Sequence, residues 1–181
     1  MTLQELLTGS LQQLDRPTDA QTREVWRDKL TRYLNDAMID LVCVLKPRRT
    51  DPVTIENGAV DVTSLPRECA KVIALYCNGQ RVPFYYGADT QQLKTPTIQE
   101  GTGEVCYRYL PVEMKTDTDE PDLPLWCHGA LISYAVGRER ASGDSASMAA
   151  ARASFELYNA AKRNLKGHMG QQDAYTIDNI Y

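Results

Sequence analysis

Residues 122–167, DLPLWCHGALISYAVGRERASGDSASMAAARASFELYNAAKRNLKG, constrain the fold more than any other stretch, because their apolar pattern is satisfied by two helices joined at a tight break. Pro124 sits where a helix can begin, since a first-turn residue has no intrahelical use for the N–H that proline lacks. Leu125, Gly129, Ile132 and Val136 recur at helical spacing, and Trp126, Ala130, Tyr134, Gly137 and Ala141 line the adjoining side. Ser142-Gly143-Asp144-Ser145 interrupts the run: Gly143 can end one helix, and Asp144 or Ser145 can cap the next. The second helix places Ala146, Ala150, Ala153, Leu157, Ala161 and Leu165 on one side. Its last turns carry Lys162, Arg163 and Lys166, where cations suit the helix dipole. A short link between two long helices predicts an antiparallel hairpin that scaffolds the rest.

Two further helices precede it. Leu3, Leu6, Leu7, Leu11 and Leu14 share a face of a short helix that Gly9 weakens, so packing must hold it. Arg16-Pro17-Thr18-Asp19 breaks the chain and offers a cap for a long helix from about residue 20 to 45. That helix has an apolar stripe including Trp26, Leu30, Leu34, Met38 and Leu41, and its outer face spaces Asp28, Arg32 and Asp36 four residues apart. Lys46, Arg48 and Arg49 close it around Pro47. They read either as dipole compensation with a solvated loop, or as a small basic patch for nucleic acid or an acidic partner.

The middle is β-rich, from about residue 53 to 116. Asn57-Gly58 between Thr54-Ile55-Glu56 and Ala59–Val62 predicts a hairpin through a type I′ turn. Lys71–Cys77 is the clearest strand. A second Asn-Gly at 78–79 returns the chain through Arg81–Tyr86, with Pro83 marking an edge. Residues 89–103 are weakly patterned and default to a loop, and Glu104–Leu110 is a further strand. Thr116–Pro121 is an acidic connector back to the helices. The expected fold is therefore α+β and predominantly helical, with a small antiparallel β insert. Helices are expected at about 3–14, 20–45, 124–141 and 145–166. Residues 167–181 form an extended tail whose Tyr175, Ile177, Ile180 and Tyr181 are too sparse for a core. They read as a frayed terminus or as an arm that orders on a partner.

Chemistry-bearing residues are few. Among 181 residues there are two histidines, five cysteines with no C-x-x-C pair, and no glycine-rich phosphate loop. Cys127 and His128 are neighbours on a helix, about 100° apart, and cannot share a metal or form a dyad. Asp117, Asp119, Glu120 and Asp122 miss the spacing of a helix-flanked calcium loop and read as a solvated connector. No cofactor, no metal and no catalytic group is expected. A net charge of -4 argues against a broad nucleic-acid or anionic-membrane surface, and no apolar run reaches the roughly 20 residues of a membrane helix. The N-terminal residues lack the basic start and apolar block of a signal peptide, which points to synthesis in cytoplasm. Ten tyrosines are the one compositional excess that bears on function. Tyr85, Tyr86, Tyr107 and Tyr109 on strands suit a protein interface or the rim of a core.

The order of elements, with several local patterns, resembles the adaptor proteins of tailed bacteriophages: head-completion or head-to-tail connectors, and especially the tail-accessory adaptors of short-tailed phages. The matching features are the long early helix from Arg23-Glu24-Val25-Trp26 to Leu41, then the run Asn57 to Arg67, NGAVDVTSLPR. Next come the strand Lys71–Leu75 ending at Asn78-Gly79, and Asp122-Leu123-Pro124 opening a helix with Ala130–Ala135. Gly143-Asp144 and an alanine-rich helix with Phe155 and Tyr158 complete the likeness, which spans residues 3–166 in layout.

The resemblance implies a single adaptor domain over residues 1–166 and a docking arm over 167–181. It implies a non-enzymatic structural protein of the virion neck, made in the host cytoplasm. The chain would form a ring, usually of twelve copies, beneath the portal protein. There it would extend the DNA channel, help retain packaged DNA without sequence-specific binding, and present a surface to tail or nozzle proteins. Tyr175, Ile177, Ile180 and Tyr181 would then dock on the portal or a neighbouring subunit. Two other classes fit the residues: a cytosolic helical interaction module with a binding tail, and a small hydrolase or thiol enzyme around Cys127, His128 or the acidic connector.

Overall fold

The computed structural model describes residues 1–87 and 91–172, and the chain divides into two compact units. One consists of Met1–Leu45 together with the chain from Val112 onward, and the other of Lys46–Pro111.

The first unit is helical: α1 (Leu3–Gln13), α2 (Ala20–Leu45), α3 (His128–Arg140) and α4 (Ser145–Gln172). Thr2 and Glu5 form a reciprocal capping box on α1, and the Asp19 carboxylate accepts from Thr22 N–H at 3.0 Å at the start of α2. Leu3, Leu6, Leu7 and Leu11 of α1 are buried with Leu30, Leu34, Met38 and Leu41 of α2 and Leu131 of α3. The weak helix former Gly9 has a packing reason: a Cβ there would lie 2.9 Å from Ile132 Cδ1. The chain returns to this unit through an irregular segment whose backbone groups need partners. Asn35, buried on α2, supplies two of them: its amide donates to Met114 O at 3.0 Å and accepts from Met114 N–H at 3.0 Å. Leu3 N–H donates to Asp119 O at 2.7 Å, tying α1 to the same segment.

Three helix expectations are corrected. Residues 125–127 form a 3-10 turn and α3 begins only at His128, leaving Leu125 and Trp126 exposed. α4 does not stop at residue 166 but continues through Gly167 to Gln172. Its buried side runs through Ala151, Ser154, Tyr158 and Leu165, whereas Leu157 is 66% exposed. Alanines all around the helix give little apolar contrast, and Tyr158 decides the face. Its hydroxyl donates to Asp40 Oδ2 at 2.5 Å, Lys162 Nζ reaches the same carboxylate at 2.6 Å, and its ring packs on Tyr134 at 5.0 Å.

The second unit holds two antiparallel sheets. The larger has the order β1 (Arg48–Ile55), β7 (Gly101–Tyr109), β3 (Cys69–Cys77), β4 (Gln80–Val82). The smaller has the order β2 (Ala59–Asp61), β6 (Gln92–Lys94), β5 (Tyr85–Tyr86). Val53, Ile55, Val60, Leu75, Leu93, Val105 and Tyr107 are among the residues of its core. Both Asn-Gly pairs turn as their sequence requires, with φ of 51° and 68° at Asn57-Gly58 and 51° and 75° at Asn78-Gly79.

The expectation of a predominantly helical chain with a small β insert is overturned. Helices hold 48% of the residues and strands 23%, in two sheets, so the fold is α+β with a substantial sheet component. Only the end of β1, Thr54-Ile55, was expected as a strand; Arg48, Arg49, Asp51 and Pro52 look like a loop, and continuous pairing with β7 from Arg48↔Arg108 to Ile55↔Gly101 makes them part of it. β6 has a single apolar residue, Leu93, within the stretch read as a loop. The strand expected across Arg81–Tyr86 divides at Pro83, β4 joining one sheet and β5 the other.

Replacing Asn35 by Ala leaves Met114 N–H and C=O buried without partners. At about 1–3 kcal/mol for each of these two groups, Asn35→Ala should destabilise the protein by about 2–6 kcal/mol in urea unfolding. Val25→Ala, at a position 76% exposed, should change stability by less than about 0.5 kcal/mol. Equal effects from the two variants would contradict the role given to Asn35.

Candidate interaction surfaces

The antiparallel order β1-β7-β3 brings the start of β1, the end of β7 and the start of β3 to one end of the larger sheet. Arg48 pairs with Arg108, and Arg108 with Lys71, so three cations lie in one row across three strands. Arg48 and Lys71 are exposed and Arg108 is half-buried, its Nε finding no hydrogen-bond partner. Like charges directly opposite one another weaken a sheet, so this row is held in place at a cost in stability. Lys46, exposed with φ of 50°, precedes the row, and Arg67 stacks over Tyr109 at 5.6 Å. Glu56, Glu100 and Glu104 lie toward the other end of β1 and β7, so the sheet is polarised in charge along its strands. Of the three cations suggested by sequence, Arg49 donates its Nε to Asp51 Oδ2 at 2.6 Å. Arg67, Lys71 and Arg108 join Lys46 and Arg48 only through strand register, which a linear reading does not reveal.

The four strand tyrosines also separate. Tyr107 is fully buried and donates its hydroxyl to Asp51 Oδ2 at 2.7 Å, so it is not available to a partner, contrary to the sequence expectation. The Arg49 guanidinium, with help from Tyr107, holds the Asp51 carboxyl below the usual carboxylate range against the opposing effect of burial. Burial, then the bond to Asp51, pushes the Tyr107 phenol up to about 12. Tyr109 is half-buried beneath Arg67. Tyr85 and Tyr86 remain on the surface, 55% and 45% exposed, with the Tyr86 ring edge-to-face on Phe84 at 6.3 Å.

Tyr86 borders a groove of about 670 Å³ that also touches Val62, Leu65, Arg67 and Lys71. β4 pairs with β3 only from Leu75 to Cys77, so among the described residues the first half of β3 has no strand on that side. Side chains cover part of that edge: Tyr86 OH accepts from Val72 N–H at 3.2 Å, and Arg81 donates to Ile73 O at 3.3 Å.

The residues suggested for chemistry have structural surroundings. Cys127 and His128 are both buried, and burial pushes the Cys127 thiol up to about 11, the reverse of an activated nucleophile. His128 Nε2 lies 3.0 Å from Leu123 O, which can only accept, so that nitrogen carries the proton; Nδ1 then accepts from the Met1 amino group at 3.0 Å. Burial lowers the imidazole's affinity for a second proton. In the acidic connector, Asp119 accepts from Thr116 Oγ1 at 2.5 Å and from the N–H groups of Thr116 and Lys115, which lower its carboxyl to about 2. Asp117 pairs with Arg27. Among the described residues no group of three or more His, Cys, Asp or Glu could hold a metal, and no helix is long and apolar enough to cross a membrane. Tyr175, Ile177, Ile180 and Tyr181 lie outside the described residues.

Comparison with known families matches residues 1–179 to the model described as SU10 adaptor protein. Among curated proteins, none matches the chain.

Tyr107→Phe removes a hydrogen bond to a buried carboxylate and should cost about 1.5–3 kcal/mol near neutral pH. Asp51 has a folded pKa below its unfolded one, so its contribution is complete above about pH 4 and is lost as pH falls through the folded value. The deficit of the variant should therefore shrink in acid. On the alkaline side, Tyr107 has a raised folded pKa, so the native protein loses this contribution as pH rises from about 10 towards 12. Urea unfolding across pH measures both limbs; a deficit independent of pH would contradict the Asp51–Tyr107 assignment.

Proposed function

The chain belongs to the SU10 adaptor family, head-to-tail adaptors of tailed bacteriophages, and from that membership we propose that it forms a ring beneath the portal at one capsid vertex. Its role in the phage head–tail region is structural, and its place is in the virion. The match over residues 1–179 carries this reading, because it takes in both units and not one of them alone. In the proposed ring, about twelve copies extend the DNA channel of the portal, help retain the packaged genome and present a surface to tail or nozzle proteins. A net charge of -4 suits a channel through which DNA passes without sticking. Each subunit of a ring meets its two neighbours through different patches, so self-assembly needs two dissimilar surfaces. Tyr85 and Tyr86 are exposed aromatics of the kind that anchor interfaces, and the basic end of the larger sheet differs from them in chemistry. The residues beyond α4, 173–181, with Tyr175, Ile177, Ile180 and Tyr181, are the proposed docking arm.

Native mass measurement of the full-length protein, alone and mixed with the portal protein of the same genome, tests the reading. A monomer or small oligomer alone and a ring on the portal are expected. Failure of fresh full-length protein to bind the portal at modest salt would overturn the portal-ring proposal.

A further inference from the structure

A strand whose neighbour stops short offers backbone groups and flanking side chains to another segment of chain. β3 is such a strand. From Cys69 to Ile73 it runs beyond the reach of β4 and borders the groove walled by Val62, Leu65 and Tyr86; with Val72 N–H and Ile73 O already held by Tyr86 and Arg81, the groove meets an incoming segment chiefly through side chains. Arg67 and Lys71 line the same groove, and Glu68 is the one carboxylate among the described residues that line it. Register shifts between Cys69 and Lys71 and between Val72 and Ala74 make the edge irregular, so side chains rather than a regular ladder must select the occupant. The groove therefore calls for an acidic segment with spaced apolar residues.

We propose that this groove receives residues 173–181 of a second copy of the chain. Their sequence, DAYTIDNIY, has two aspartates and no lysine or arginine, complementing Arg67 and Lys71. Tyr175, Ile177 and Tyr181 fall at even spacing, so an extended segment would turn all three to one side, and they supply apolar side chains for the Val62, Leu65 and Tyr86 wall. The segment has no glycine or proline, and nine residues can span up to about 30 Å, ample for the open half of β3. A groove on one copy filled by the segment of the next is a head-to-tail pairing, which closes into a ring when the rotation allows. The inference rests on the self-assembly proposed above and supplies it with one of its two dissimilar surfaces; it does not depend on portal binding.

Ala70 is exposed and lines the groove, so p-benzoylphenylalanine in its place puts a photocross-linker there in the full-length chain. Light and 15N-labelled protein are mixed, assembled on the portal, irradiated and analysed by mass spectrometry. Cross-links from position 70 to residues 173–181 are expected, including pairs that join a light copy to a heavy one. Lys71→Glu should lower their yield about tenfold, and Lys71→Arg should restore it. Unchanged circular dichroism of Lys71→Glu separates loss of docking from loss of folding. Absence of these cross-links, or their confinement to same-isotope pairs, in rings that still form on the portal would overturn this inference and leave the ring intact. Heavy–light cross-links without portal binding would support the inference and contradict the portal reading.

Discussion

The helical unit depends on closing a seam between two distant parts of the chain. Residues 112–123 re-enter it without regular secondary structure, so their peptide groups have no ladder of their own. Asn35 meets this need from within an apolar helix face. Its side-chain amide donates and accepts at once, and so matches the N–H and C=O of Met114 together. Leu3 and Gln4 N–H donate to Asp119 O and Asp117 O nearby, and Arg27 pairs with Asp117. Leucines of α1 and α2 supply most of the buried area, but these polar contacts fix which residues of the returning chain lie against them. A buried polar residue with every bond made specifies register, whereas leucine packing alone tolerates slippage. The acidic connector belongs to the same seam, since Asp119 orders its own turn and Asp117 anchors the turn to α2.

Much of the helical unit was legible in the sequence because its signals are local. The leucine spacing of α1, the break at Pro17 and the cap at Asp19 each act within a few residues. The two Asn-Gly turns were legible for the same reason, since each asparagine and glycine takes a positive φ. The first part of β1 was not legible, because its strand character comes from β7, which lies about fifty residues on, and not from its own Arg, Asp and Pro. Nor was the buried face of α4, where alanines carry no contrast and the deciding contact is Tyr158 with Asp40 of another helix. The candidate surfaces divide along the same line. Tyr85 and Tyr86 could be named from sequence, while the burial of Tyr107 and the row Arg48–Arg108–Lys71 exist only through pairing between strands.

That division separates residues buried within the β unit from residues at its surface. Arg49, Asp51 and Tyr107 satisfy one another: a carboxylate taken into the core is compensated by a guanidinium and a phenol. Their chemistry is consumed by the fold. The Arg48–Arg108–Lys71 row, by contrast, sets like charges side by side, an arrangement relieved by an anionic partner. Cys127 and His128 fall on the structural side: both are buried, the thiol is kept protonated, and both imidazole nitrogens are engaged within the fold. A protein whose buried polar groups are spent on the fold, and whose surface offers charge and aromatic side chains, suits the structural place of its family.

If the chain is built into the virion between head and tail, as proposed, cryo-electron microscopy of purified virions in which it carries a small density-adding tag should show tag density at a single vertex of every filled head, between capsid and tail. Tag density distributed over the capsid, or particles that are complete and infectious without the chain, would refute that placement.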